Sequence, residues 1–281
     1  MPPSPSGFLI GGSREILNRL SSGSLRSDES GMTRHFGPAG SGRLAVRRAL
    51  AAWRGRCTER AIAREVGALL PELREAFPFD GFARLAEQFG AERYAGEGPL
   101  KYFDVDHYLP LNVERAIRLG LHRGTPARRI LDLGCGFGYL IYVCERLGHR
   151  ALGVDCEPEA QSDARCYAHA IELLGVRRAL HRIEAFAPLP ALGGPFDLVT
   201  AYQICFTDHE SPDRWDVAEW RFFLADLEKQ LARDARLVFS FNWSARHGGW
   251  LSDELADFFA RAGAQICAEE VRFSGAPRLA D

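Results

Sequence analysis

The stretch Ile130-Leu131-Asp132-Leu133-Gly134-Cys135-Gly136-Phe137-Gly138 constrains the fold of this chain more than any other segment. An apolar run breaks into a glycine turn, and helical periodicity follows, so the segment reads as a buried strand, a tight turn and a helix start. Further on, Gly153-Val154-Asp155 ends a second apolar strand on a carboxylate. Strand, turn, helix, strand and acid in that order describe a nucleotide cradle. The glycines let a ligand approach the main chain, the helix start offers N–H groups, and the acid can bind both hydroxyls of a ribose. A glycine turn alone is a weak signal; the full order is much more specific.

The periodicity around this cradle sets the architecture. Strands are predicted at 129–133, 151–155, 179–184, 196–202, 236–242 and 265–273, the last of them one strand or a very tight pair. Helices are predicted at 138–147, 158–174, 215–232 and 251–262. Strands and helices taking turns imply an α/β, Rossmann-like, mostly parallel sheet of six or seven strands with helices on both faces. Only the short Pro-rich stretch 187–195 separates the third and fourth strands, so any crossover helix there is minimal. Ahead of the sheet, 43–125 reads as a helical cap and substrate region, with helices at 44–70, 79–88 and 111–121 and with Pro71 and Pro78 as punctuation. Residues 1–42, rich in Ser, Gly and Pro, read as a disordered tail with at most a short helix at 14–20. The chain thus divides into 1–42, 43–125 and 126–281.

Composition narrows the function classes. A formal net charge of −2 over 281 residues gives no global pull towards nucleic acid or anionic membranes. The first helix is basic (Arg43, Arg47, Arg48, Arg54, Arg56, Arg60 and Arg64), which reads as a solvated face before it reads as a binding wall. Seven cysteines are scattered without a Cys-x-x-Cys pair. That usage fits a reducing, cytoplasmic setting with the thiols as small buried groups, and no metal site is expected. No apolar run approaches the roughly 18–20 residues of a membrane span, and no signal-peptide pattern is present.

The details of the turn select the ligand. A dinucleotide loop of the form Gly-x-Gly-x-x-Gly would put its third glycine where Tyr139 stands, and an acid, Asp132, precedes the turn. No tyrosine is followed four residues later by lysine, as a reductase would often require. The pattern resembles motif I of the class I S-adenosylmethionine-dependent methyltransferases. The resemblance covers roughly residues 100–270 and implies S-adenosyl-L-methionine as cofactor. It implies that Asp132 and the turn Gly134-Cys135-Gly136 serve the methionine arm, that Gly138 allows the close helix start, and that Asp155 takes the ribose hydroxyls. Pro195-Phe196-Asp197-Leu198-Val199 is similar to the family's fourth strand, which puts Gln203 at the methionine part. Glu184, Ala185 and Phe186 follow the third strand, where the family grips adenine with an acid, a main-chain N–H and an apolar contact. Tyr102 lies where the N-terminal segment closes over the cofactor, and an aromatic ring near a sulfonium gains about 0.5–2 kcal/mol. The family's closing hairpin has little room here, so a six-stranded version is also open.

The same resemblance sets the expected chemistry. Methyl transfer is an in-line displacement, in which alignment supplies most of the barrier reduction. With a hydroxyl acceptor a base helps. His209, in Thr207-Asp208-His209-Glu210, is the best-placed candidate after the fourth strand, with Asp208 as the alternative and an idle loop histidine as the plain reading. The expected acceptor is a small molecule, methylated on O or N. RNA or protein as acceptor, favoured only by the basic first helix, and non-catalytic binding of S-adenosylmethionine are the competing readings. Nucleic-acid and membrane partners are not expected, and the oligomeric state is left open.

Overall fold

The computed structural model describes residues 39–90, 98–122, 124–203, 214–244 and 248–279. The helix predicted at 14–20 and the segment with Asp208 and His209 lie outside the described residues. Two compact units, 1–54 and 55–281, divide the chain, and the second contains the whole sheet.

Helix α1 (Ala39–Glu75) starts earlier than predicted and continues through Pro71. That proline costs one main-chain hydrogen bond without ending the helix. Helix α2 (Phe79–Phe89) ends on Gly90, which takes the left-handed conformation of a helix C-cap. A 3-10 turn, Gly98–Phe103, leads into α3 (Val105–Arg118). This helix begins six residues ahead of the predicted 111, because Asp104 caps it by accepting from the His107 main-chain N–H at 3.1 Å.

The sheet contains β1 (Arg129–Leu133), β2 (Arg150–Asp155), β3 (Arg178–Leu180), β4 (Phe196–Tyr202), β5 (Leu231–Ser240), β6 (Gln265–Cys267) and β7 (Glu270–Phe273). Helix α4 (Tyr139–Arg146) follows β1, α5 (Gln161–Leu174) follows β2, α6 (Val217–Glu228) follows β4, and α7 (Asp253–Arg261) follows β5. The order across the sheet is β3-β2-β1-β4-β5-β7-β6, parallel except at β7. No helix joins β3 to β4, as the Pro-rich stretch implied.

The last predicted strand, 265–273, is a hairpin, so the sheet has seven strands. Cys267 pairs with Glu270 across a two-residue turn, and Ala268 sits there at φ 51°. Alanine is a poor left-handed residue, and no Asn-Gly or Asp-Gly signal advertises the turn. Strand β3 stops at Leu180, not 184, because its ladder with β2 runs out at Asp155.

Side chains alternate across the sheet and so build two cores. Ile130, Leu198 and Val238 face α3, α4 and α5, packing with Leu109, Val113, Ile141 and Ala170. Leu131, Leu133, Val199 and Leu237 face α6 and α7, packing with Trp220, Phe223 and Phe259. β1 is buried on both faces, which explains its near-continuous apolar sequence. Asp132 is the exception, a carboxylate only 5 % exposed on the α3 face.

Candidate cofactor site

Strand order reverses between β1 and β4, and ligands of such sheets bind beyond the carboxyl ends of the strands at that reversal. The glycine turn leaves β1 at this edge, Gln203 leaves β4 beside it, and Asp155 ends β2.

Asp155 locks the turn. One carboxylate oxygen accepts from the Gly136 N–H at 2.7 Å and the other from the Cys156 N–H at 2.9 Å. Helix α5 starts only at Gln161, so Asp155 is not serving as its N-terminal acid. Burial pushes its carboxyl upward, while the Gly136 and Cys156 N–H groups and Arg178 pull it down. Each oxygen has a further lone pair, enough to accept a ribose hydroxyl as well.

The turn makes heavy use of its glycines. Gly134, Gly136 and Gly138 all have positive φ. A Cβ on Gly138 would lie 2.7 Å from Val176 Cγ2, and one on Gly136 would lie 3.1 Å from Tyr102 Cζ. The N–H groups of Gly134 and Cys135 donate to the Val154 carbonyl, that of Gly138 donates to the Cys135 carbonyl, and that of Gly136 goes to Asp155. These four donors therefore have partners inside the protein and do not form an open row for a diphosphate.

The second carboxylate comes from strand register. Asp132 on β1 lies opposite Thr200 on β4, and Thr200 Oγ1 donates to Asp132 Oδ1 at 2.7 Å. Complete burial raises the Asp132 pKa to about 6, against the lowering effects of Thr200 and the nearby Arg115. A pair of carboxylates at the turn suits a cationic ligand and disfavours a diphosphate.

Two tyrosines tie the N-terminal segment to this edge. Tyr139 occupies the position a dinucleotide loop gives to glycine, and its hydroxyl donates to the Tyr102 carbonyl at 2.7 Å. The Tyr102 ring thereby lies against Gly136, with Phe137 at 5.2 Å and Tyr108 at 5.0 Å between centroids.

The remaining predicted residues are more dispersed. Gln203 is exposed and left-handed at φ 54°; its N–H donates to the Ser240 carbonyl, and its carbonyl accepts from Asn242 Nδ2. A non-glycine residue held there carries strain of the kind found at functional edges. Glu184, Ala185 and Phe186 lie past the last paired residue of β3 in an exposed turn. Phe186 is 56 % exposed and meets the ring of Phe222 at 5.8 Å.

Arg115 went unselected in the sequence. It lies on α3 with its guanidinium 4.1 Å from the Tyr202 ring centroid, in electrostatic reach of Asp132, Tyr102 and Tyr108. Nothing local marks it, since its surroundings come from strand register and helix packing.

One titration follows from Asp132. The ionised form is the one that accepts an ammonium, and it prevails in the free protein above about pH 6. On the expectation that Asp132 meets the ammonium of a methionine arm, affinity for S-adenosylhomocysteine is full above that pH and falls, by up to about tenfold per unit, as pH drops through it. Folding stability has the opposite sign: the raised pKa favours the fold below the ordinary carboxylate range, and this contribution is lost as pH rises through about 6. Calorimetric titrations across that window, with Asp132→Asn alongside, check the step. It disappears in the variant if Asp132 carries it.

Fold and site together give a mostly parallel α/β sheet with a glycine turn and two largely buried carboxylates, Asp132 and Asp155, at its strand-order reversal. Residues 130–220 match the family model described as a methyltransferase domain. Over that segment the chain is similar to methyltransferase domains. Over 76 residues it is 41% identical to the ribosomal protein L11 methyltransferase of Thermus thermophilus, covering 27% of this chain and 28% of that protein. Over 129 residues it is 30% identical to a ubiquinone biosynthesis O-methyltransferase of Xanthomonas campestris, covering 44% and 47%. The chain thus spans less than half the length of these curated relatives. A solved TehB-like S-adenosylmethionine-dependent methyltransferase from Corynebacterium glutamicum aligns at TM-score 0.40 and 20% identity, over 57% of this chain and 85% of that one.

Proposed function

We propose that this protein transfers a methyl group from S-adenosyl-L-methionine to a small-molecule acceptor, on oxygen or nitrogen. The observation that carries the reading is the Asp155–Gly136 lock with Asp132 buried beside it at the strand-order reversal. When bound, the cofactor supplies a methyl carbon already activated by a positive sulfur. Asp155 holds the ribose, Asp132 the ammonium of the methionine arm, and Tyr102 covers the turn and helps exclude water. Glu184, Ala185 and Phe186 are assigned to the adenine. His209, or Asp208 in its place, takes the proton of a hydroxyl acceptor.

The helical region 43–125 is assigned to acceptor choice, because the sheet itself is generic to many chemistries. Charge supports a small molecule over RNA. The net charge is −2, Arg74 pairs with Asp106 at 2.6 Å, and Arg118 is held by Glu59 and Glu114. Among the described residues no helix is long and apolar enough to cross a membrane. We assign the protein to the cytoplasm.

The test is transfer of labelled methyl from S-adenosylmethionine to a metabolite panel, to total RNA and to a protein extract. Label in the small-molecule fraction is the expected result. Label in RNA or protein would refute the acceptor class. Cofactor binding without transfer to any fraction would leave a binding protein.

A further inference from the structure

We infer that Arg115, on a helix outside the sheet, receives the carboxylate of the methionine arm of the bound donor. With Asp132 it forms a two-charge reader of an amino-acid end. This inference rests on the cofactor reading above and adds to it a residue and a selectivity.

A guanidinium keeps its proton in proteins, so Arg115 stays cationic wherever it sits. Here it is half-buried, and its environment works against the charge. Its hydrogen bond is to a neutral group, Asn112 Oδ1, at 3.2 Å. That amide is itself fixed, since Asn112 Nδ2 donates to the Tyr108 carbonyl at 2.8 Å and so turns the oxygen towards Arg115. Tyr202 supports one face of the guanidinium at 4.1 Å. Among the described residues no ion pair includes Arg115. A cation desolvated, oriented and left without an anion is costly for folding alone and suits a ligand that brings the anion.

Position says which ligand. Tyr202 ends β4 next to Gln203, and Asp132 shares the α3 face of the sheet with Thr200. Arg115 therefore stands over the strand-order reversal, close enough to Asp132 to act on it electrostatically but outside ion-pair distance. If the two served only each other, the pair would gain most by closing to contact. One cation and one carboxylate held apart at the same crevice match the two ends of an amino-acid zwitterion: ammonium to Asp132, carboxylate to Arg115. A guanidinium is also the side chain best shaped for a carboxylate. A carboxylate on the acceptor is the other source of the same anion.

The test is calorimetric titration of the full chain and of its Arg115→Met and Arg115→Lys variants. The two ligands are S-adenosylhomocysteine and methylthioadenosine, which keeps the adenosine and thioether but lacks the amino-acid arm. Arg115→Met is expected to weaken S-adenosylhomocysteine about 10- to 100-fold and to leave methylthioadenosine within about threefold, with Arg115→Lys in between. Thermal denaturation of each variant verifies that it is folded. Unchanged S-adenosylhomocysteine affinity in Arg115→Met would overturn the inference. So would equal weakening of both ligands, which marks a structural role. If the unmodified protein binds neither ligand, it is the cofactor reading that fails, and this inference falls with it.

Discussion

Replacing Asp155 with alanine is expected to weaken S-adenosylhomocysteine binding by at least about 100-fold. The proposed role gives this carboxylate two hydrogen bonds to ribose hydroxyls, each charge-assisted and worth about 1.5–3 kcal/mol. Losing both amounts to about 3–6 kcal/mol, or roughly two to four orders of magnitude in affinity. The free protein responds as well, because Gly136 and Cys156 lose the acceptor for their N–H groups. The turn then loosens where the ligand must meet it, and a lower thermal midpoint accompanies the loss of affinity. Asp155→Asn separates the two effects. Its amide oxygen can still satisfy one N–H, but its NH2 group points a donor at the other. Calorimetry gives the affinities and thermal denaturation the stabilities. Binding within about threefold of the unmodified protein would remove Asp155 from the ribose.

The second large effect is on turnover. His209→Ala is expected to slow methylation of a hydroxyl acceptor by about 10²–10⁴-fold while leaving S-adenosylhomocysteine affinity unchanged. The expectation rests on chain order. β4 runs to Tyr202 at the ligand edge, and Gln203 turns away in a left-handed conformation. His209 follows six residues later in the sequence. Methyl transfer to oxygen requires the hydroxyl proton to leave, and a histidine at the acceptor is the side chain suited to take it near neutral pH. Asp208→Asn identifies the base: if Asp208 serves, that substitution carries the loss and His209→Ala does not. Full turnover in His209→Ala would exclude His209, and an amine acceptor already neutral at the working pH would need neither residue.

The cradle was legible because its elements are contiguous. Glycines with nowhere else to go, an apolar strand on each side and an acid at a fixed distance are local facts. The structure then adds that Asp155 holds Gly136. β1 and β4 appear at the residues expected, since both are buried on two faces and end at polar or turn residues. Where pattern reading slipped, a local signal was missing or misleading. Ala268 turns a hairpin without glycine or asparagine, so the sequence leaves one strand or a tight pair open there. Pro110 sits inside α3 and masks a start that Asp104 caps. Ile183 packs against the second core beyond the end of β3, so the apolar run outlasts the ladder.

What the sequence could not show is what the sheet assembles from distant parts. Asp132 and Thr200 are 68 residues apart and meet only through the β1–β4 register. Arg115 acquires its position from α3 packing over that same face, and Tyr139 acquires its role from a carbonyl 37 residues earlier. None of these has a spacing rule, because each depends on long-range pairing.

The most direct test of a turn that binds an adenosyl amino acid is a calorimetric titration of the intact protein with S-adenosylhomocysteine and, separately, with a reduced nicotinamide dinucleotide. Saturable one-to-one binding of the first, and no heat beyond dilution with the second, is expected from two carboxylates and a turn whose N–H groups at 134, 135, 136 and 138 are already engaged. Saturable uptake of the dinucleotide without any of S-adenosylhomocysteine would contradict it.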